Sequence, residues 1–200
     1  MNNFTGQHFR YPLLLIHGMG FRDRKHINYW GRIPGVLQEE GATIYYGNQD
    51  SNGSIEGNAT FLAQRIKKLA LENNIEKFNV IAHSKGGLDI RYAISTLKIN
   101  ELIASVTTIQ TPHHGSYTVD KLLKLPAPLV RFGCFLTDIW FRILGDRKPQ
   151  TYKAVNCFKT TEAERFNAAN PDDPDIYYQS YAFSCKKITG ICFYGSPTWS

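Results

Sequence analysis

Residues 82–87, Ala82-His83-Ser84-Lys85-Gly86-Gly87, limit what this chain can fold into more than any other segment. They stand between an apolar run, Phe78-Asn79-Val80-Ile81, and a stretch of helical spacing over 88–97. A serine on a sharp strand-to-helix turn needs small neighbours, because the turn is strained and the adjoining backbones pass close together. Ala82, Gly86 and Gly87 supply them, with Ala82 in the place that glycine usually takes. The spacing therefore predicts a nucleophile elbow with Ser84 at its tip. A serine hydroxyl attacks only once a base takes its proton, so a histidine oriented by a carboxylate is its expected complement.

The rest of the chain alternates. Apolar or β-branched runs over 12–16, 42–46, 78–81, 102–109 and 176–183 predict strands. Helical spacing falls between them, over 29–40, 55–73, 88–97 and 161–169. In the first of these helices Ile33, Val36 and Leu37 share a face, and Pro34 sits in the first turn, where proline is tolerated. Such alternation predicts one α/β domain with a mostly parallel, doubly wound sheet, helices on both faces and its chemistry at the carboxyl ends of the strands. The first strand ends in His17-Gly18-Met19-Gly20. The loop there is expected to give one backbone N–H to an oxyanion hole, and the residue after the nucleophile the other. That assigns Met19 and Lys85, through their main chains only.

Other chemical groups carry weaker signals. His83 precedes Ser84 and is expected to turn into packing. His113 and His114 follow the fourth strand, whereas partners of an elbow serine follow in the order acid, then histidine, the latter after the last strand. A positioning role near the pocket suits them better than a role as base. Asp89 lies on the elbow helix and reads as structural. His113, His114 and Asp120 are poor metal ligands because adjacent residues diverge, so no metal site is expected.

The net charge of +6 on 200 residues gives a basic surface, but no Lys/Arg run or nucleic-acid motif accompanies it, and no nucleic-acid partner is expected. Cys134, Cys157, Cys185 and Cys192 lack C-x-x-C spacing and read as reduced thiols. Neither a signal-peptide pattern nor an apolar run of membrane-spanning length is visible, so the expected location is the cytoplasm.

Four segments together resemble one family. Tyr11-Pro12-Leu13-Leu14-Leu15-Ile16-His17-Gly18-Met19 is similar to the oxyanion strand and loop of the bacterial true lipases of the pseudomonad type, triacylglycerol hydrolases of the α/β-hydrolase superfamily. Tyr29-Trp30, Ile33-Pro34, Leu37 and Gly41-Ala42 resemble the helix and turn that follow. The run from Val80 to Gly87 with Arg91-Tyr92 resembles their elbow and its helix. Ala104 to Thr107, leading to Thr111-Pro112-His113-His114-Gly115-Ser116, resembles the next strand and loop. Weaker likeness at Ala163 to Asn167 and Tyr177-Tyr178 extends the match over about residues 10 to 183.

The resemblance implies an α/β-hydrolase fold and hydrolysis of carboxylic esters, triacylglycerols included, through an acyl-enzyme on Ser84. It implies that 119–147, dense in apolar residues and broken by Pro126 and Pro128, is a helical lid that opens at a lipid–water interface. The family's triad acid lies in a turn after the strand resembling 177–183, and its histidine later. Here no histidine follows His114 and no acid follows Asp175. The triad acid and base, the calcium-binding carboxylates of the pseudomonad type and the final strands and helices are therefore expected to be absent. The chain is then near-inactive and uses no cofactor. Residues 184–200 show no continuing likeness and read as an aberrant tail of the kind a frameshift produces. Two other readings stand beside this one. One is a different serine esterase or acyltransferase on the same fold, and the other a non-catalytic protein that binds lipid or a partner.

Overall fold

A computed structural model describes residues 9–20, 22–23 and 29–183, together with the backbone of 196–197. Six strands form one sheet in the order β2-β1-β3-β4-β5-β6. They are β1 (Leu13–Ile16), β2 (Ile44–Tyr46), β3 (Phe78–His83), β4 (Ile103–Ile109), β5 (Tyr177–Ala182) and β6 (Ser196–Pro197). The first five run parallel, and the two residues of β6 pair antiparallel with β5. All four residues of β1 are buried, as a strand covered on both faces requires. The chain steps from β1 outward to β2 and then crosses back to β3 on the other side of β1. That reversal opens a crevice at the carboxyl ends of β1 and β3, where ligands bind in sheets of this kind.

Helix α1 (Ile33–Glu39) joins β1 to β2, α2 (Ile55–Asn73) joins β2 to β3, and α3 (Lys85–Ser95) joins β3 to β4. Right-handed crossovers put α2 and α3 on one face, where they pack together, and α1 on the other. Helix α2 starts at Ser54, whose hydroxyl accepts from Gly57 N at 3.2 Å, and stops at Asn74 in the left-handed region. Its Ala59, Leu62, Ile66 and Ala70 meet Ile90, Ala93 and Ile94 of α3 and Phe78, Val80 and Val106 of the sheet in one core.

Several elements differ from their sequence patterns. Helix α3 begins at Lys85 instead of residue 88: Gly86 and Gly87 are poor helix formers, but packing holds them helical. In α1 Pro34 is the buried residue, while Ile33 and Val36 are exposed. The apolar stretch after β4 divides at the prolines into α4 (Tyr117–Leu122) and α5 (Ala127–Ile143), and no residue of either is buried. A short helix, α6 (Thr151–Asn156), follows before α7 (Thr160–Ala169). Apart from β6, the 184–200 segment lies outside the described residues, and Cys185 and Cys192 with it. Cys134 and Cys157 are free.

Candidate active site

Ser84 sits at φ 50° and ψ −127°, a region a residue with a Cβ seldom enters. Such a conformation costs about 1–3 kcal/mol and persists only where its surroundings over-determine it. Here they do. Ser84 N donates to Ile109 O at 2.9 Å, and Ser84 O accepts from Thr111 Oγ1 at 2.9 Å and from Gly87 N at 3.1 Å. Both peptide groups of the serine are thereby tied to the end of β4 and the first turn of α3.

The glycines explain the close approach. A Cβ on Gly86 would meet His17 O at 2.5 Å and Ile16 O at 2.8 Å, and one on Gly87 would collide with the Thr111 side chain. A Cβ on Gly18 would stand 2.8 Å from Ser84 Cβ and 2.8 Å from Tyr29 Oη. The loop after β1 thus rests directly on the serine, and Met19 is the next residue along it. Lys85 is the first residue of α3, so its N–H has no intrahelical acceptor. These are the two amides the sequence assigns to an oxyanion hole.

The Lys85 side chain does something the sequence did not suggest. It is 1% exposed, and its Nζ donates to Asp89 Oδ1 at 2.6 Å and Oδ2 at 2.9 Å. Asn58 Nδ2, on α2, donates to Asp89 Oδ2 at 2.9 Å and to Asp50 O at 2.8 Å. Burial pushes the Asp89 carboxyl above its ordinary range, and Lys85 opposes it. The i, i+4 spacing of Lys85 and Asp89 was the available signal.

Four histidines are described, and none hydrogen-bonds to Ser84. His17 is buried, with Nδ1 2.8 Å from Gly18 O and Nε2 3.1 Å from Gln49 O; Gln49 Nε2 returns a bond to His17 O at 2.8 Å. This exchange pins the loop after β1, and burial lowers the pKa of the ring. His83 turns to Tyr29, whose hydroxyl it meets through Nδ1, and burial lowers it as well. Arginine can only donate, so Arg91 Nη1 at 3.2 Å fixes His113 Nδ1 as an acceptor, leaving Nε2–H to donate to Thr108 Oγ1 at 3.0 Å. Burial and then the Arg91 charge push His113 down to about 4. His114 is exposed. Arg91, His113, His114, Tyr178 and Ser180 line a cavity of about 470 Å³ at the ends of β4 and β5. Thr111 is the wall this cavity shares with the elbow.

Asp23, in the loop after β1, gave no sequence signal. Both its carboxylate oxygens are buried without a hydrogen bond, and burial raises its pKa to about 7 against the pull of Arg22 and Arg65. Among the described residues no group of three His, Cys, Asp or Glu could hold a metal ion. Asp120 instead accepts from Thr160 N at 3.2 Å and Thr160 Oγ1 at 2.9 Å.

A strained serine between a parallel strand and a helix, with the loop of the neighbouring strand laid against it, has the geometry of the strand-to-helix elbow of the α/β-hydrolase fold. The palmitoyl protein thioesterase family matches residues 12–181, and the chain belongs to that family. It is 37% identical over 116 residues to a triacylglycerol lipase of Pseudarthrobacter phenanthrenivorans, covering 56% of this chain and 36% of the relative. Triacylglycerol lipase 2 of Saccharomyces cerevisiae is 32% identical over 165 residues, 79% of this chain and 46% of the relative. The chain thus spans between about a third and a half of the length of these curated relatives. A Bacillus licheniformis lipase in its mature form superposes with a TM-score of 0.66 at 20% identity, over 90% of this chain and 67% of that one. A metagenomic carboxyl esterase gives 0.61 at 16% identity, over 85% and 48%. Both have the same fold.

Proposed function

We propose that Ser84 is the nucleophile of a carboxylic ester hydrolase acting on lipid esters, triacylglycerols among them. The observation that carries this is the strained, doubly tethered Ser84 with the Gly18–Met19 segment laid against it. Ser84 Oγ adds to the acyl carbon and gives its proton to a base. The carbonyl oxygen becomes an oxyanion held by the Met19 and Lys85 amides. Collapse of the tetrahedral species expels the alcohol, which takes the proton, and leaves an acyl-Ser84 that water hydrolyses by the same sequence. No described imidazole hydrogen-bonds to Ser84, and the 200-residue chain is expected to turn over slowly. Loss of a triad member lowers rates by several orders of magnitude while the oxyanion hole keeps working. Helices α4 and α5 are the proposed lid.

The test supplies a base from solution. Imidazole added with p-nitrophenyl butyrate is expected to raise acylation of the Ser84 peptide, read by mass spectrometry, and Ser84→Ala to abolish it. Adducts spread over lysines and unchanged in Ser84→Ala would refute the assignment. A thioester is a second reading, favoured by the family match over residues 12–181. The same nucleophile and oxyanion hole serve both esters, and competition between a palmitoyl thioester and a triglyceride for Ser84 ranks them.

A further inference from the structure

Helix α5 is oriented unlike an ordinary surface helix. Its half-buried inner row is Val130, Cys134, Thr137 and Phe141, at i, i+4, i+7, i+11 spacing. Its outward row, Leu129, Phe132, Leu136, Ile139 and Ile143, is apolar as well, at i, i+3, i+7, i+10, i+14, with Trp140 beside it. Phe132 and Trp140 are each 59% exposed and Ile143 is 73% exposed. Monomers seldom leave so continuous an apolar strip in water.

The charges on the same arm are sorted by sign. Residues 117–148 contain three acids, and each faces the body. Asp120 binds Thr160, Asp138 Oδ1 accepts from Thr151 N at 2.7 Å, and Asp146 accepts from Ser51 N at 3.1 Å and Asn52 N at 2.8 Å. The cations of the arm are all exposed. Lys121, Lys124 and Arg142 have no ion-pair partner among the described residues. An apolar strip carrying Trp and Phe, on an arm whose exposed charged residues are all cations, suits a negatively charged lipid interface. No described helix is long and apolar enough to cross a membrane.

We infer that the α4–α5 arm docks the protein onto anionic lipid surfaces in preference to zwitterionic ones. This rests on the lid reading above, yet it concerns binding and not the chemistry at Ser84. The experiment is co-sedimentation of the 200-residue Ser84→Ala chain with vesicles of phosphatidylcholine alone, and with vesicles in which about a third of the lipid is phosphatidylglycerol. Binding to the anionic vesicles is expected to be at least about 100-fold tighter and to weaken steeply between about 0.1 M and 1 M salt. Each cation near such a surface is worth about a factor of five. Lys121→Gln, Lys124→Gln and Arg142→Gln together are therefore expected to lower anionic binding about 100-fold and leave the weak zwitterionic binding unchanged. Phe132→Ser with Trp140→Ser is expected to reduce both. Equal partitioning into the two vesicles, or full anionic binding by the triple variant, overturns the inference. So does a lipid-free dimer in analytical ultracentrifugation that Phe132→Ser and Trp140→Ser dissolve, which would give the face to a second copy. Because the serine is absent from the test protein, failure of the hydrolase reading leaves these results untouched.

Discussion

The buried pair under the elbow makes the sharpest test of how this site is built. Lys85→Met removes an ammonium 2.6 Å and 2.9 Å from the Asp89 oxygens, in a place where both side chains are 1% exposed. Asn58 remains as one hydrogen-bond donor to a carboxylate that has lost its counter-charge. Breaking one side of such a pair costs about 3–5 kcal/mol, a large share of the total stability of a domain. The loss should depend on pH with a definite sign. Burial already raises the Asp89 pKa, and without Lys85 nothing of opposite charge restrains it. The folded variant then holds a proton that the unfolded chain has released, so its stability is highest at low pH and falls as pH rises through the folded-state pKa. Urea unfolding followed by far-UV circular dichroism at about pH 5 and pH 8 measures this. Replacing both partners, Lys85→Met with Asp89→Leu, removes the stranded charge and is expected to recover most of the loss, since Asn58 keeps Asp50 O as an acceptor. A cost below about 1 kcal/mol for Lys85→Met at pH 8, or a double variant as unstable as the sum of the singles, would show that the pair is solvated and the reasoning wrong.

The remaining expectations use the same chain and the same unfolding assay. Gly86→Ala drives a Cβ to within 2.5 Å of His17 O, backbone that cannot yield, and should cost about 2–3 kcal/mol; a neutral result would mean that β1 and α3 are not in contact. At residue 84 the positive φ should make Ser84→Gly about 1–2 kcal/mol more stable than Ser84→Ala, and equal stabilities would refute the strain. Asp23, with a pKa raised to about 7, should lower stability as pH climbs from the unfolded carboxyl range through neutrality, by up to roughly 4 kcal/mol. Asp23→Asn should flatten that slope, and parallel pH profiles for the two proteins would show the carboxyl to be solvated.

The five parallel strands were legible because their runs are short and regularly spaced between helical stretches, and because residues 82–87 admit few conformations; β6, two residues in a segment without likeness to the family, was not. Helix α2 was readable to the residue, since Ser54 and Asn74 mark its ends chemically. Helix α6 was not. It has six residues with no periodicity of their own, and its first N–H is satisfied by Asp138 from another helix. The outward apolar row of α5 was equally hidden. Apolar residues on every side tell a reader that the helix meets something, not which face looks inward. Lys85 escaped for a third reason. A lysine in a helix is nearly always solvated, and only the tertiary position of Asn58 and the sheet shows that this one is enclosed.

The histidines separate positioning from catalysis. A general base works best with a pKa near the working pH, because it must both be free of its proton and hold the one it takes. His113 at about 4 would hold that proton roughly a thousandfold less well than a base matched to pH 7, and Arg91 already occupies its lone pair. His17 and His83 are lowered by the same cause, burial; neutral His17 can donate to only one of the Gly18 and Gln49 carbonyls beside it, and His83 Nδ1 meets the Tyr29 hydroxyl. All three therefore stay neutral and fix loops around Ser84. Neutrality suits that task, since a fixed cation beside the nucleophile would bind anions before any oxyanion formed. The elbow, in turn, takes its hydrogen bonds from Ile109, Thr111 and Gly87, and the imidazoles act on it only through the loops they hold.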